Sequence, residues 1–256
     1  MLASQRHQYI LKKLEASGSV LTNDIIAELK VSPATVRNDL TYLESRNLLK
    51  KTYGGALAVE GKQFNYTNFH YRERLNMDLK NAIVEHALQF IHDDQAIALD
   101  ASTTCLALAE RLSNFRRLTV ITNGIYTLLA LKEMPNVTVI VVGGIVTKGS
   151  GSIEGVLAQE MLNNISIDVA FFSGHGFNLQ SGITDFNFYE VELKRMILKR
   201  AKRVIGLLDS SKIGLNSIGS FAKREDFELL ITDNRFNQDL LHEYINEGVK
   251  VEIVEV

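Results

Sequence analysis

Short, almost wholly apolar runs alternate with helical patterns from Asp78 onward, and this alternation constrains the fold more than any other feature of the chain. Runs such as QAIALD and DVAFFS lack the polar alternation of a strand with one face in water, so both of their faces are predicted to be buried. Such strands, separated by amphipathic helices, indicate an α/β domain with a parallel sheet covered on both sides over residues 77–256. The predicted strands are 95–100, 117–122, 137–142, 168–173, 203–209, 227–233 and 249–254, and the predicted helices are 78–92, 103–113, 125–133, 155–164, 189–202 and 237–247.

The first part of the chain carries a different pattern, three short helices followed by a hairpin. Helix 4–17 is followed by a second helix that Thr22 is predicted to cap, and a tight turn leads into a third. Ser32 can cap that third helix with its hydroxyl, and Pro33 at the first helical position loses no hydrogen bond. The run LLKKTYGGALAV then supplies two short strands. Together these elements predict a winged helix-turn-helix domain over residues 1–57.

The third helix is predicted to bury one side and to present the other to DNA. Val36, Leu40 and Leu43 recur at i, i+4 and i+7, the spacing of a buried helical stripe. The polar side chains near the helix start therefore point outward, where a recognition helix meets base edges, and the basic hairpin lies after them. The predicted DNA-binding residues are Ser32, Thr35, Arg37, Asn38, Thr41, Lys50, Lys51 and Tyr53.

The distribution of charge agrees with a DNA-binding N-terminus. The whole chain has a formal net charge of −2. Residues 1–57 hold eight basic and five acidic side chains, a net of +3, which leaves −5 for the rest. This asymmetry favours phosphate contact by the N-terminal part alone, although a bias of this size can also arise by chance.

Other features exclude whole classes of protein. No stretch of 18 apolar residues predicts a membrane span, and the N-terminus lacks the apolar core of a signal peptide. The single cysteine, Cys105, is predicted to be a small core residue. Because one cysteine cannot form an internal disulfide, the sequence favours a location in the reducing cytoplasm. Metal-ligand spacings are absent, so neither a metal nor a cofactor is expected. Residues 58–76 lack sustained periodicity and are predicted to be a linker.

Polar residues collect where five predicted strands end, and in a parallel sheet those ends meet at one edge. Ser102, Thr103 and Thr104 follow Asp100 at a helix start, which predicts either an anion site or a simple helix cap at Ser102. Lys212 can neutralise a phosphate or carboxylate. The predicted ligand-binding residues are Asp100, Ser102, Thr103, Thr104, Asn123, Gly144, His175, Glu190 and Lys212.

Some of these side chains also have plainer explanations. His175 lies in a glycine-rich loop and can be a solvated histidine, and Glu190 can simply favour the N-terminus of its helix. The charged face of helix 189–202 is predicted to be solvated rather than functional. That face comprises Glu192, Lys194, Arg195, Lys199 and Arg200.

The segments VSPATVRNDLTYLE, YGGAL, ALDASTT, VITNG, VVGG, DVAFFS, GITDFN and LLDSSKIG resemble the DeoR family of sugar-operon repressors over nearly the whole chain. The resemblance implies a winged helix-turn-helix joined to a Rossmann-like sensor domain similar to ribose-5-phosphate isomerase and glucosamine-6-phosphate deaminase. It also implies a phosphorylated sugar or related effector and a homo-oligomer, a dimer or tetramer, on repeated operator half-sites. It places Arg37 and its neighbours on the operator. It assigns Asp100, Ser102, Thr103, Thr104, Asn123, Gly144 and Lys212 to the effector pocket.

The chain departs from the family pattern at four positions. Asn38 replaces a second arginine and can pair with adenine, and Tyr53 replaces a histidine of the wing. Ser102 and Ser173 stand where glycine is usual. The leading hypothesis is a repressor whose operator binding is controlled by a sugar phosphate. The alternatives are a sugar-phosphate isomerase or deaminase with an accessory DNA-binding domain and, with less support, a purely architectural DNA-binding protein.

Overall fold

A computed structural model describes residues 3–17, 19–45, 48–57, 69–146, 151–155, 157, 159–236 and 238–256. The chain divides into two compact units, Met1–Leu75 and Asn76–Val256. Among the described residues, no helix is both long and apolar enough to cross a bilayer.

The first unit is a helix-turn-helix with a three-stranded antiparallel wing, as predicted apart from one extra strand. The strand order is β1-β3-β2, and the first strand was missed because only three residues of it pair with the hairpin. The elements are α1 (Ala3–Ser17), β1 (Ser19–Leu21), α2 (Thr22–Leu29), α3 (Pro33–Ser45), β2 (Lys50–Thr52), β3 (Gly55–Leu57) and α4 (Phe69–Arg74).

One local prediction in this unit is wrong. Thr22 does not cap α2: it is the first helical residue, and its N–H donates instead to the Gly54 carbonyl at 2.8 Å. The segment predicted to be a linker, 58–76, includes the short helix α4, in which Phe69 is buried. Residues 58–68 of that linker lie outside the described residues.

The hydrophobic core of the first unit joins its helices to the wing. The predicted stripe of Val36, Leu40 and Leu43 on α3 is buried. The wing needs glycine at position 55, because a Cβ there would lie 1.9 Å from the Val20 carbonyl oxygen of β1. The other buried apolar residues of this core are Ile10, Leu11, Leu14, Val20, Ile25, Leu49 and Ala56.

The second unit contains the predicted parallel sheet, and all seven predicted strands are confirmed. The order is β15-β14-β12-β9-β4-β5-β6, and every pair is parallel. Neighbouring strand residues alternate between two hydrophobic cores, as Leu99 and Ala98 do, so both faces of the sheet are covered. The strands are β4 (Ala96–Leu99), β5 (Leu118–Thr122), β6 (Val137–Val141), β9 (Ile167–Phe172), β12 (Ala201–Leu207), β14 (Leu229–Asp233) and β15 (Val251–Val254).

The helices of this unit are shorter than predicted. The predicted helix 189–202 ends at Leu198, and its last two residues already belong to β12. Of the predicted helix 155–164, the structure shows five residues as helix. The helices are α5 (Met77–Ala87), α6 (Thr103–Ala109), α7 (Ile125–Leu131), α8 (Gln159–Asn163), α9 (Phe188–Leu198) and α10 (Gln238–Asn246).

Five short strands that the sequence did not predict lie beside the sheet's carboxyl ends. Three of them form an antiparallel sheet of order β10-β11-β13. This sheet depends on Gly182, which has φ +71, and a Cβ there would lie 2.1 Å from the Ala222 carbonyl oxygen. The five strands are β7 (Ile145–Val146), β8 (Ile153–Glu154), β10 (Gly176–Asn178), β11 (Gly182–Asp185) and β13 (Gly219–Ala222).

Candidate functional site

Helix α3 presents its predicted DNA-reading face to solvent. Ser32 caps the helix as predicted, because its hydroxyl accepts the Thr35 N–H at 3.1 Å. Arg37, Asn38 and Thr41 are exposed and Thr35 is half-buried. The Thr41 hydroxyl donates to the Arg37 carbonyl at 2.8 Å, which holds that side chain along the helix.

The opposite side of α3 is fastened to α1 by a buried carboxylate that the sequence reasoning missed. Asp39 accepts hydrogen bonds from Arg6 Nε at 2.6 Å and from Arg6 Nη2 at 3.0 Å. His7 Nε2 lies 2.9 Å from Asp39 Oδ1, the oxygen that also accepts from Arg6 Nη2. The hydrogen bond to Asp39 raises the pKa of Arg6. The angle between α1 and α3 therefore rests on a charge-assisted contact as well as on apolar packing.

The wing lies against the same helix and adds the predicted basic residues to its surface. Lys51 Nζ donates to the Thr41 hydroxyl at 2.7 Å, and the Lys51 N–H donates to a Glu44 carboxylate oxygen at 2.8 Å. Lys50 is exposed. Tyr53 at the turn between β2 and β3 is fully exposed. Helix α3 and the wing thus form one polar, partly basic surface with an unshielded aromatic ring at its tip.

In the second unit, Asp100 lies at the end of β4 and holds three donors. Its carboxylate accepts the Ser102 N–H at 2.9 Å and the Ser173 N–H at 3.0 Å, and Lys194 Nζ lies 3.0 Å away. The side chain of Asp100 is wholly buried. Asp100 therefore holds together the backbone segments that follow β4 and β9.

Lys194 joins this cluster, which contradicts the prediction that it is solvated. Its side chain is only 1% exposed, and Nζ lies 2.7 Å from Asp185 and 3.6 Å from Glu190. Nζ also donates to the Ser173 carbonyl at 2.9 Å. The prediction failed because one position of a charged helical run faces inward, where it meets Glu190 of the same helix and two carboxylates from outside the helix, Asp100 and Asp185. Lys199 of the same run is exposed, as predicted.

Burial and charge act in opposite directions on the Lys194 ammonium. Burial by itself lowers its pKa, but attraction to Asp100, Asp185 and Glu190 outweighs burial and raises the pKa well above the ordinary value. Lys194 is therefore charged at neutral pH and serves as the shared counter-ion of three buried carboxyl groups.

A second pair of carboxyl groups extends the cluster toward β8. The Ser152 hydroxyl lies 3.2 Å from a Glu154 oxygen and 3.3 Å from a Glu190 oxygen, and all three residues are buried. Glu190 is thus held both by Lys194 and by the Ser152 segment. Ser152 and Glu154 were not predicted because their neighbourhood shows no strand-end pattern in the sequence.

Lys212 contacts the side chain of Ser173, whereas Lys194 of the carboxylate cluster contacts its backbone carbonyl. Lys212 Nζ donates to the Ser173 hydroxyl at 2.9 Å and lies 3.7 Å from an Asp209 oxygen. Its side chain is 20% exposed, so the ammonium is within reach of a ligand from solvent. Burial raises the pKa of Asp209, but attraction to Lys212 and a hydrogen bond from Ser211 outweigh it, and the pKa falls.

The residues after β4 and β5 contribute buried polar atoms. Ser102 caps α6 by accepting the Cys105 N–H at 3.1 Å, which is the plainer of its two predicted roles. Thr103 is also buried. Within the described part of the chain, Thr104 Oγ1 and Asn123 Oδ1 are buried with no hydrogen-bond partner. Unsatisfied groups of this kind are costly, and a bound polar molecule can satisfy them.

Asn123 and Gly144 lie against strand β8, and His175 lies just before β10. Asn123 Nδ2 donates to the Ile153 carbonyl at 3.3 Å, and Gly144 packs so closely that a Cβ would lie 2.3 Å from the Glu154 carbonyl oxygen. His175 is half-buried, with its ring edge-on to Phe186.

The structure therefore links several predicted ligand residues through a few intermediaries. Lys194 connects Asp100 with Glu190, and Ser173, which contacts Asp100 and Lys194, also contacts Lys212. Asn123 and Gly144 meet the strand that carries Glu154. Among the described residues, no group of three or more His, Cys, Asp or Glu side chains has the arrangement of a metal site.

Comparison with protein families assigns both units. A model described as the DeoR-like helix-turn-helix domain matches residues 6–62, and one described as the DeoR C terminal sensor domain matches residues 75–234. The chain belongs to the DeoR family. The family resemblance drawn from the sequence motifs is thereby confirmed, as is the combination of a winged helix-turn-helix with a parallel α/β sensor domain.

Individual relatives of this DeoR-family chain are transcriptional regulators. The chain is 41% identical over 255 residues to the HTH-type transcriptional regulator GolR of Listeria innocua, covering 100% of each. It is 33% identical to the HTH-type transcriptional repressor GlcR of Bacillus subtilis, covering 100% of this chain and 98% of that protein. A D-ribose-5-phosphate isomerase in complex with phospho-erythronic acid aligns at 17% identity and a TM-score of 0.41 over 53% of each chain.

Proposed function

We propose that this DeoR-family protein represses a sugar-utilisation operon and that a phosphorylated sugar, bound in the sensor unit, controls its affinity for the operator. The family match over both units carries the proposal, because it joins a DNA-reading domain to a sensor domain in one chain. The exposed α3 surface and the partly exposed Lys212 support the two halves of the proposal. A homo-oligomer on repeated half-sites belongs to the same proposal.

The charges of the site suggest how a sugar phosphate lies in it. The phosphate meets Lys212, the ammonium that reaches solvent, together with polar groups at the ends of β4 and β5. The hydroxyl-bearing end meets the carboxylates of Glu154 and Glu190, which can accept hydrogen bonds from it. In this orientation Asp100 positions other residues rather than touching the ligand. A ligand with an anionic group at both ends binds less well, because one end faces buried carboxylates.

A ligand screen tests the proposal. Purified full-length protein is melted with glucose 6-phosphate, fructose 6-phosphate, glycerol 3-phosphate, other sugar phosphates and the corresponding unphosphorylated sugars. Operator affinity is measured in parallel on a duplex that the protein selects from a random library. We expect at least one phosphate ester to raise Tm and to change operator affinity, while its sugar does neither. Failure of every phosphate on both readouts contradicts the proposal.

An enzyme remains the second candidate, a sugar-phosphate isomerase or deaminase with an accessory DNA-binding domain. The observation that favours it is the pair of buried carboxyl groups, Glu154 and Glu190, that share the Ser152 hydroxyl and can move protons. Incubating the purified chain with ribose 5-phosphate and glucosamine 6-phosphate tests it. Turnover that is abolished by the Glu190→Gln substitution would favour the enzyme function over the sensor function.

A further inference from the structure

The two units are joined at Asn76, and the side chain of this residue is hydrogen-bonded to the segment after β12 that carries Lys212. Asn76 has φ +51, in the left-handed region. Its Nδ2 donates to Asp209 Oδ1 and to the Ser211 hydroxyl, each at 3.0 Å. Its carbonyl accepts the Lys80 N–H at 3.0 Å and so begins helix α5. The first residue of the sensor unit is therefore held by side chain and backbone alike.

Asp209 connects Asn76 to the proposed anion-binding lysine. One carboxylate oxygen accepts from Asn76, while the other lies 3.7 Å from Lys212 Nζ. Asp209 is buried, so its charge depends on these few partners. An anion that draws Lys212 toward itself weakens the attraction between the Lys212 ammonium and the Asp209 carboxylate. The other partners of Asp209 must then stabilise its buried charge. Asn76 is one of those partners.

On the other side of the junction, helix α4 is attached to the recognition helix. Arg74 lies two residues before Asn76; its guanidinium lies 5.7 Å from the centre of the Tyr42 ring and donates to the Tyr42 hydroxyl. Tyr42 directly follows Thr41 on α3, and its ring stacks on His7 of α1 with centroids 4.8 Å apart. A displacement of α4 therefore also acts on α3, the helix that carries the proposed DNA contacts.

We propose that Asn76 is a coupling residue, through which the binding of an anion to Lys212 affects the recognition helix α3. The route runs from Lys212 through Asp209 to Asn76, then along the chain to Arg74, and from Arg74 to Tyr42. Its two sets of contacts each lie within one unit, and the polypeptide supplies the link between them. The inference rests on the proposed function, since it takes Lys212 as the anion site and α3 as the DNA reader. Because coupling free energies are reciprocal, operator DNA also affects Lys212 by this route.

A double-mutant cycle on operator affinity tests the inference without knowledge of the effector. Lys212→Met removes the charge that Asp209 faces and imitates its withdrawal by an anion. Asn76→Gly removes the amide while tolerating the positive φ. The Kd of full-length protein for its library-selected duplex is measured at fixed salt for the wild type, both single variants and the double variant. We expect Lys212→Met to change Kd by about 5-fold or more, in either direction. In the Asn76→Gly background the same substitution should change Kd less than about 2-fold.

Matched variants separate coupling from general damage. Lys202→Met removes an exposed lysine of β12 that pairs with Asp168 at 2.8 Å, and it should leave Kd within about 2-fold in both backgrounds. Asn76→Asp keeps the side-chain size but replaces the donor to Asp209, and it should break the coupling as Asn76→Gly does. Circular-dichroism melting confirms that each variant is folded.

The outcomes distinguish this inference from the proposed function. If Lys212→Met leaves Kd unchanged, or changes it equally with and without the Asn76 amide, the coupling route is overturned while DNA binding stands. If the wild type selects no duplex from the library, the proposed function fails and the inference fails with it. A loss of the Lys212 effect in both Asn76 variants, with Lys202→Met silent, supports the route.

Discussion

Replacement of Lys194 by methionine should destabilise the sensor unit more than any surface change. The substitution leaves Asp100, Asp185 and Glu190 buried without their shared ammonium, since Nζ lies 3.0, 2.7 and 3.6 Å from them. Removing one partner of a buried ion pair typically costs about 3–5 kcal/mol of unfolding free energy. For a domain of this size, each kcal/mol lowers Tm by roughly 2–4 °C, so we expect a fall of about 6–20 °C.

Differential scanning calorimetry of the full chain measures this fall. The matched control is Lys199→Met, which changes an exposed lysine at the end of the same helix and should cost about 0.5 kcal/mol or less. If Lys194→Met cost less than about 1 kcal/mol, the cluster would not depend on the ammonium for its stability. The view of Lys194 as a necessary counter-ion would then be wrong.

Two further predictions concern DNA reading and acid stability. Arg37→Ala should weaken binding to the selected operator by about 1–3 kcal/mol. The control Arg116→Ala, which changes an exposed residue of the sensor unit, should leave binding unchanged. Equal operator affinity of the wild type and Arg37→Ala at one salt concentration would refute the assignment of Arg37 to DNA reading. Because the pKa of Asp209 is lower in the folded state than its ordinary value of about 3.9, its carboxylate stabilises the fold above that pH. That stabilisation disappears as the pH falls through the folded value. The Tm advantage of wild type over Asp209→Asn should therefore shrink between pH 7 and pH 3, and an advantage of the same size at both would contradict the assignment.

Elements with a regular apolar pattern could be predicted from the sequence. The seven parallel strands are runs whose residues alternate between two cores, so no polar alternation interrupts them. Ser32 and the stripe on α3 follow local rules of capping and helical period, and both predictions are confirmed. Strands β10, β11 and β13 were missed because each pairs only three or four residues and depends on tertiary close approach at Gly182.

The candidate site was only partly predictable, because its organisation comes from contacts distant in the chain. The strand-end rule correctly indicated Asp100 and Lys212 as polar residues at the sheet edge. It could not indicate Lys194, whose position in a charged helical run looks like that of its exposed neighbour Lys199. Only the fold shows that Ser173 stands between the two lysines, since its carbonyl and hydroxyl accept from one each.

The buried anchor within helix α3 has a consequence for how such regulators diversify. Arg37 and Asn38, the proposed DNA-reading residues, are exposed and precede a buried Asp39 that Arg6 and His7 hold in place. Substitutions at the exposed positions typically change stability by less than about 0.5 kcal/mol, so operator preference can drift without a folding penalty. Asp39 lacks that freedom. Helix α3 thus carries exposed positions that can be substituted at little cost in stability beside a buried carboxylate that cannot, so its operator preference can be redesigned without altering the contact that holds it to α1.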